Sequence, residues 1–425
     1  MKKITKKVLM IFALFVGCVA NLSAIDATIE VVKDATRLPT IVVENLNSNK
    51  NDVLISSKIH KMLVADLKVS GHFNVIERNE GEKDIDYESY VRENVNLVVK
   101  LTSEATSSEL LSTIQVYDIN VRQVALSKQY SVKEEMRFPF LAHKMAIDIN
   151  GYIQAPSIDW MNRFVVFAKY TKSKESYIVI ADYTLTYQSA VIRDGLNIFP
   201  KWVDLEQTTI LFTKYMPKPT LMRYNIYTGK MDRLLSSDGL IIASDVSKDG
   251  KKVLLTMAPK GQTDIYLYDM TTKQNTKLTN YNGIDVGANF INNERSIMFI
   301  SDRLGYPNIF SLDLKSRLIS QLVYHGRNNS SASAHNEYIV YSSRESANEF
   351  GSNIFNLYLI STKSDYIRRL TASGVNQLPR FSRDGGSIMF VKSTEDESAL
   401  GIIRLNYNKS YLFPLANEKI QSIDW

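Results

Sequence analysis

From about residue 154 onward, short apolar runs alternate with polar turns at one recurring interval. Each unit reads as an aromatic or apolar anchor, a polar turn, a strand, a second turn, another strand, a third turn and a short last strand. The anchors align at Trp160, Trp202, Val246, Phe290, Ala332 and Phe381, with Trp425 as a seventh, at spacings of 42, 44, 44, 42, 49 and 44 residues. Ser247-Lys248-Asp249-Gly250 precedes Val253-Leu254-Leu255, and Ser382-Arg383-Asp384-Gly385-Gly386 precedes Ile388-Met389-Phe390-Val391. Asp-Gly supplies the positive φ that tight hairpins need. Strands recur at 264–269, 308–313 and 353–358, each followed by a short Leu-Thr-like strand, as at Leu278-Thr279, Gln321-Leu322 and Leu370-Thr371. Four short strands per repeat is the blade of a β-propeller, and six blades close a ring in which each covers its neighbour's apolar face. Ser422-Ile423-Asp424-Trp425 repeats Ser157-Ile158-Asp159-Trp160, so the last strand is expected to return to the first blade and fasten the ring.

Residues 25–150 show no such period. Val53, Ile55, Ile59, Met62, Leu63 and Leu67 fall at helical spacing, with Gly71 as a natural stop. Segments 40–43, 73–76, 97–101 and 114–117 read as strands, and 140–149 as a second helix. The acid-rich stretch 77–93 reads as a solvated loop and short helix rather than a ligand site. Strands interleaved with helices indicate a small α/β domain. The expected fold is therefore an α/β amino-terminal domain (25–150) followed by an all-β six-bladed β-propeller (151–425).

Residues 1–24 pair a cationic start (Lys2, Lys3, Lys6, Lys7) with an apolar run from Val8 to Ala20, the pattern of a secretory signal peptide. Cleavage is expected after Ala24, with Ala20 as the alternative. Gly17-Cys18 also resembles a lipoprotein processing site, with Phe15 a poor match to it. Downstream cleavage leaves no cysteine, so stability must come from core and sheet closure rather than disulfides. The leader also accounts for most of the net charge of +6: without it, 47 basic residues face 45 acidic ones. That balance and the lack of a nucleic-acid-reading motif argue against a nucleic-acid partner.

Candidate chemistry is sparse. His60, His72, His143, His325 and His335 share no metal-ligand spacing, and His60 and His72 read as ordinary surface residues. No phosphate-binding Gly-rich loop and no Gly-x-Ser-x-Gly elbow is present. Asp249-Gly250 and Asp384-Gly385 sit at equivalent repeat positions, which favours a turn role over catalysis. No catalytic residue, cofactor or metal is expected.

The repeat Phe381-Ser382-Arg383-Asp384-Gly385 and its degenerate form Val246-Ser247-Lys248-Asp249-Gly250 resemble the propeller repeats of the TolB family. Ala65-Asp66-Leu67-Lys68-Val69-Ser70-Gly71-His72-Phe73-Asn74, followed by Glu77-Arg78, resembles the helix-to-strand passage of that family's amino-terminal domain. Most blades lack the family's full Trp-Ser-Pro-Asp-Gly, which marks a divergent branch. The resemblance implies a non-enzymatic periplasmic scaffold of a Gram-negative bacterium, within the Tol-Pal system that supports outer-membrane integrity and constriction at cell division. It implies TolA binding by the amino-terminal domain and the segment Thr28, Ile29, Glu30, Val31 and Val32, whose β-rich pattern could add a strand to a partner or fold back as a switch. It also implies binding of the Pal lipoprotein at one mouth of the propeller. Geometry selects the loops entering the innermost strands as that rim: Asn197 and Ile198; Gly239, Leu240 and Ile241; Gly283, Ile284 and Asp285; Asn328 and Asn329; Asn376 and Gln377. Two other readings fit a propeller: the gating domain of a prolyl-oligopeptidase-like enzyme, which needs a serine hydrolase domain, and a ligand-binding or carbohydrate-active channel.

Overall fold

The computed structural model describes residues 38–47, 52–345, 354–395, 397–415 and 418–425. The amino-terminal part is a five-stranded sheet built from β1 (Thr40–Asn45), β2 (Asn74–Arg78), β3 (Leu97–Ala105), β4 (Leu110–Asp118) and β5 (Gln123–Val132), in the order β2-β1-β3-β4-β5. β1 runs parallel to both its neighbours, and β3, β4 and β5 form an antiparallel meander. Helices α1 (Val53–Ser70) and α3 (Phe138–Tyr152) cover one face; the single-turn-scale α2 (Tyr87–Arg92) lies against the other. Alternation in β1 sorts the faces: Ile41 and Val43 meet the helices, while Val42 joins Tyr90 and Val98 on the far side. α1 ends where Gly71 takes φ +79, and a Cβ there would sit 3.0 Å from the Tyr407 ring, so glycine serves both the cap and the close approach.

β5 was not foreseen. It is an edge strand with only Tyr130 buried, so it carries no clean alternation. The acid-rich stretch is not simply solvated either. The Lys100 ammonium projects under it and donates to the carbonyl oxygens of Glu82 (2.6 Å), Lys83 (3.2 Å) and Asp84 (2.5 Å). Burial pulls the Lys100 amine below its ordinary value, with Glu44 opposing. Lys100→Ala is expected to cost about 2 kcal/mol, the lower part of the range for stranded carbonyls because water can reach this loop. Thermal melts, with proteolytic cleavage inside 79–86 as the local readout, check this.

Six four-stranded blades follow, lettered a to d from the channel outward. Their a strands are Ile420–Asp424 (blade 1), Leu196–Trp202 (2), Ile241–Val246 (3), Asp285–Ile291 (4), Arg327–His335 (5) and Val375–Phe381 (6). The last strand of the sequence pairs antiparallel with Val165–Lys172 and completes blade 1, as the repeated Ser-Ile-Asp-Trp suggests. The expected turns also form. Asp249 accepts from Ser247 Oγ (2.6 Å) and Lys251 N (3.1 Å) beside Gly250 at φ +70. Asn225, Asp269 and Asp313 each accept two backbone N–H bonds from the next turn, as Asx residues do.

One anchor is corrected. Val246, Phe290 and Phe381 pair with Val253, Ile297 and Ile388 at the start of strand b; in blade 5 the residue paired with Ile339 is Ala334, two positions beyond Ala332. Register shifts within Arg327–His335 absorb the difference, so residue counting alone misplaces it. The short outer strands also lie slightly earlier than expected, at Asn275–Lys277, Ile319–Gln321 and Ile367–Arg369.

Candidate functional site

The end of the ring where each a strand begins, here called the front rim, surrounds a channel whose cavity measures about 240 Å³. Apolar side chains from successive blades line it, among them Phe199, Leu240, Ile242, Val286, Leu378 and Ile423. Deeper in, a band of charges crosses the channel. Asp424 lies 2.9 Å from Lys201 and 3.8 Å from Arg380, and Lys201 lies 3.6 Å from Asp245. These carboxylates also join blades: Asp424 accepts from Trp202 N (3.0 Å) and Asp245 from Phe290 N (2.9 Å), while Ser333 takes the equivalent bond from Phe381 N (3.3 Å). Burial pushes the Asp245 carboxyl up, with Lys201 opposing. The band is matched internally and acts as a girdle.

Around the mouth, large apolar side chains face solvent. Tyr324 is 80% exposed, Leu304 54% and Ile284 48%, all on loops of blades 4 and 5, with Tyr170 and Tyr215 exposed on blades 1 and 2. The rim residues singled out from sequence divide into two groups. Asn197, Ile198, Ile241, Asp285, Asn329 and Asn376 are buried. The three asparagines among them are ties between blades: Asn197 Nδ2 donates to Ser176 O (3.1 Å), Asn329 Nδ2 to Asn308 Oδ1 (3.0 Å) and Asn376 Nδ2 to Phe355 O (3.0 Å). Asp285 takes that place in blade 4 and pairs with Arg303 at 3.0 Å. Gly239 is held by packing, since a Cβ would meet Ala258 O at 2.2 Å. Leu240, Gly283, Ile284, Asn328 and Gln377 keep some exposed surface.

At the opposite rim, α1 and α3 pack on blades 1 and 6 in one continuous core containing Leu63, Leu67, Met145, Ile149, Trp160 and Ile402. Here the histidine expectation is overturned: His60 and His72 are buried, not on the surface. His60 Nε2 lies 3.0 Å from Val43 O, and His72 bonds Asn150 through Nδ1 while its Nε2 lies 3.4 Å from Arg404. Helical spacing cannot show this, because both sit on faces that another part of the chain covers. His143, also fully buried, lies between Asp66 and Asp182. Among the described residues, no group of three or more His, Cys, Asp or Glu side chains is placed to hold a metal ion.

A profile described as the TolB beta propeller domain matches residues 161–425, and one described as the TolB amino-terminal domain matches residues 27–125. The chain belongs to the TolB family. Relatives named Tol-Pal system protein TolB include one from Wolinella succinogenes, 57% identical over 96% of this chain and 97% of its own length. Another, from Campylobacter jejuni, is 46% identical over 99% of this chain and 100% of its own length. The crystal structure of TolB from Acinetobacter baumannii superposes with a TM-score of 0.76 at 20% identity, covering 91% of this chain and 96% of that one, and so supports the fold.

The TolB amino-terminal match includes Thr28, Ile29, Glu30, Val31 and Val32, which lie outside the described residues. Among the described residues no helix is long and apolar enough to cross a membrane. The packing of α1 and α3 on blades 1 and 6 is not legible in the sequence of this TolB-family chain. The signals available were Asp66 and His143, charged or titratable residues on otherwise apolar helix faces.

Proposed function

We propose that this TolB-family chain is a non-enzymatic periplasmic scaffold of the Tol-Pal system. In this reading the front rim of the propeller binds the Pal lipoprotein, and the α/β domain with residues 28–32 binds TolA, supporting outer-membrane integrity and constriction at division. The observation that carries it is the group of exposed Ile284, Leu304 and Tyr324 on the front-rim loops of blades 4 and 5, on the rim away from the α/β domain. Exposed apolar side chains gathered on one surface are what a protein partner buries, and aromatic ones tend to dominate the binding energy. The internally paired channel girdle further favours a role in holding the ring over one in turnover.

Tyr324→Ala and Leu304→Asp are expected to weaken Pal binding about tenfold or more each, with the melting temperature within a few degrees of the parent. Calorimetric titration against purified Pal checks this, and unchanged affinity in both variants sinks the rim assignment. Deleting residues 25–32 should lower TolA affinity; if affinities for both TolA and Pal were unaffected, the switch segment would be wrong.

A further inference from the structure

Asp66 on α1 and His143 on α3 belong to the α/β domain; Asp182 and Tyr183 follow strand c of blade 1. All four are fully buried. His143 Nδ1 lies 2.8 Å from Asp66 Oδ2, its Nε2 lies 3.4 Å from Asp182 Oδ2, and Tyr183 donates to Asp66 Oδ1 at 2.6 Å. His143 Nε2 makes no hydrogen bond and meets Asp182 only at ion-pair distance, and a neutral imidazole, with one N–H and one lone pair, can satisfy one of these carboxylates while setting its unprotonated nitrogen beside the other. Only the doubly protonated ring serves both.

We infer that the Asp66–His143–Asp182 cluster is a protonation-dependent latch, in which one proton on His143 holds the α/β domain against the propeller and its loss loosens that docking. The carboxylates come from both sides of the seam, so the imidazolium is a counterion shared between the two domains. Among the described residues, His143 is the one cation at ion-pair distance from either carboxylate. The remaining groups facing the cluster stay neutral or act from farther away. Phe140 and Tyr183 approach the imidazole with ring centroids 5.7 and 5.0 Å away. Thr184 and Tyr187 donate backbone N–H bonds to Asp182. From blade 6, Arg404 and Tyr411 act on the cluster through Tyr183, whose hydroxyl burial pushes well above its ordinary value.

Burial opposes charge on His143, yet Asp66 and Asp182 raise its pKa to about 9. Burial raises the Asp66 carboxyl, with His143 opposing; burial also pushes Asp182 up, but His143 together with the Thr184 and Tyr187 hydrogen bonds holds it below its ordinary value. A raised histidine contributes stability that is complete below its unfolded value of about 6.5 and is lost as pH climbs through its folded value. Docking should therefore weaken progressively from about pH 6.5 to about pH 9 and level off above that.

The test uses the full chain, with radius of gyration from solution scattering and melting temperature recorded from pH 6 to 10. The expected result is expansion and a fall in melting temperature that both develop between about pH 6.5 and 9 and level off above 9. His143→Gln should be expanded already at pH 7 and lack that step. Asp182→Asn, which keeps the ring and removes one carboxylate, should bring the alkaline end of the decline down by about one pH unit or more. A flat wild-type radius across the range, or an unchanged step in His143→Gln, overturns the proposal. If His143→Gln does not fold, the His143 ring titration by NMR in the wild type decides: a midpoint near 6.5 rules the latch out.

Discussion

Removing Ile420–Trp425 is expected to abolish cooperative folding of the propeller. This strand is the innermost layer of blade 1, paired to Val165–Lys172, and without it blade 1 has no lining on the channel side. Ile420 and Ile423 are 7% and 3% exposed, and deleting a buried isoleucine side chain costs about 2–5 kcal/mol. Asp424 adds the ion pair to Lys201 and the bond from Trp202 N, which join blade 1 to blade 2 across the closure. Trp425 packs against Trp160 in a tilted pair with ring centroids 5.5 Å apart and donates to Phe381 O at 2.8 Å, which ties the same closure to blade 6. The sum is comparable with the ~5–15 kcal/mol that holds a whole domain folded. Circular dichroism melts of the shortened chain should show a broad transition or none. A sharp melt within a few degrees of the intact protein would mean that the ring closes without this strand.

Asp66→Ala is the second large effect, about 3–5 kcal/mol at neutral pH. The substitution removes the acceptor for both His143 and Tyr183 at a site with no water access, leaving a buried imidazolium short of one counterion and a phenol hydroxyl without its acceptor. Breaking a buried pair from one side costs far more than the pair contributes as a whole, because the remaining group keeps its desolvation penalty. Tyr183→Phe removes one neutral donor to the same carboxylate and should cost only about 1 kcal/mol. Urea denaturation of the two variants at pH 7 gives the comparison. Equal, small losses would show that Asp66 is not held as the cluster requires.

How much of this was legible depended on whether a residue's role is local. The blade period was readable because each strand and turn writes its own signature: Asp249-Gly250 makes the same hairpin wherever it occurs, and 264–269 and 308–313 became strands with those bounds. The helix over Val53–Ser70 and its stop at Gly71 were readable for the same reason. β5 was not, because an exposed edge strand lacks an alternating face. Nor was the Ala334 anchor, since bulges shift register without leaving a mark in the residue count. At the front rim, the sequence reading put Asn197, Asn329 and Asn376 in loops entering the innermost strands, whereas they lie within the first residues of those strands. It could not show that their amides are spent on the preceding blade.

From the sequence alone came the α/β-then-propeller order, the six blades, the return of the last strand and the family, all of which rest on periodicity and short-range turn chemistry. The tertiary structure decided what depends on which distant residues meet. It set the charge girdle of Lys201, Asp245, Arg380 and Asp424, drawn from four blades, and the meeting of Asp66, His143 and Asp182 across the domain seam. Those pairings span many residues of chain, and an ionisable side chain on an apolar strand or helix looks the same in sequence whether it faces water or a partner. Only packing determines which, because the cost of burying a charge is offset solely by the particular group brought to meet it.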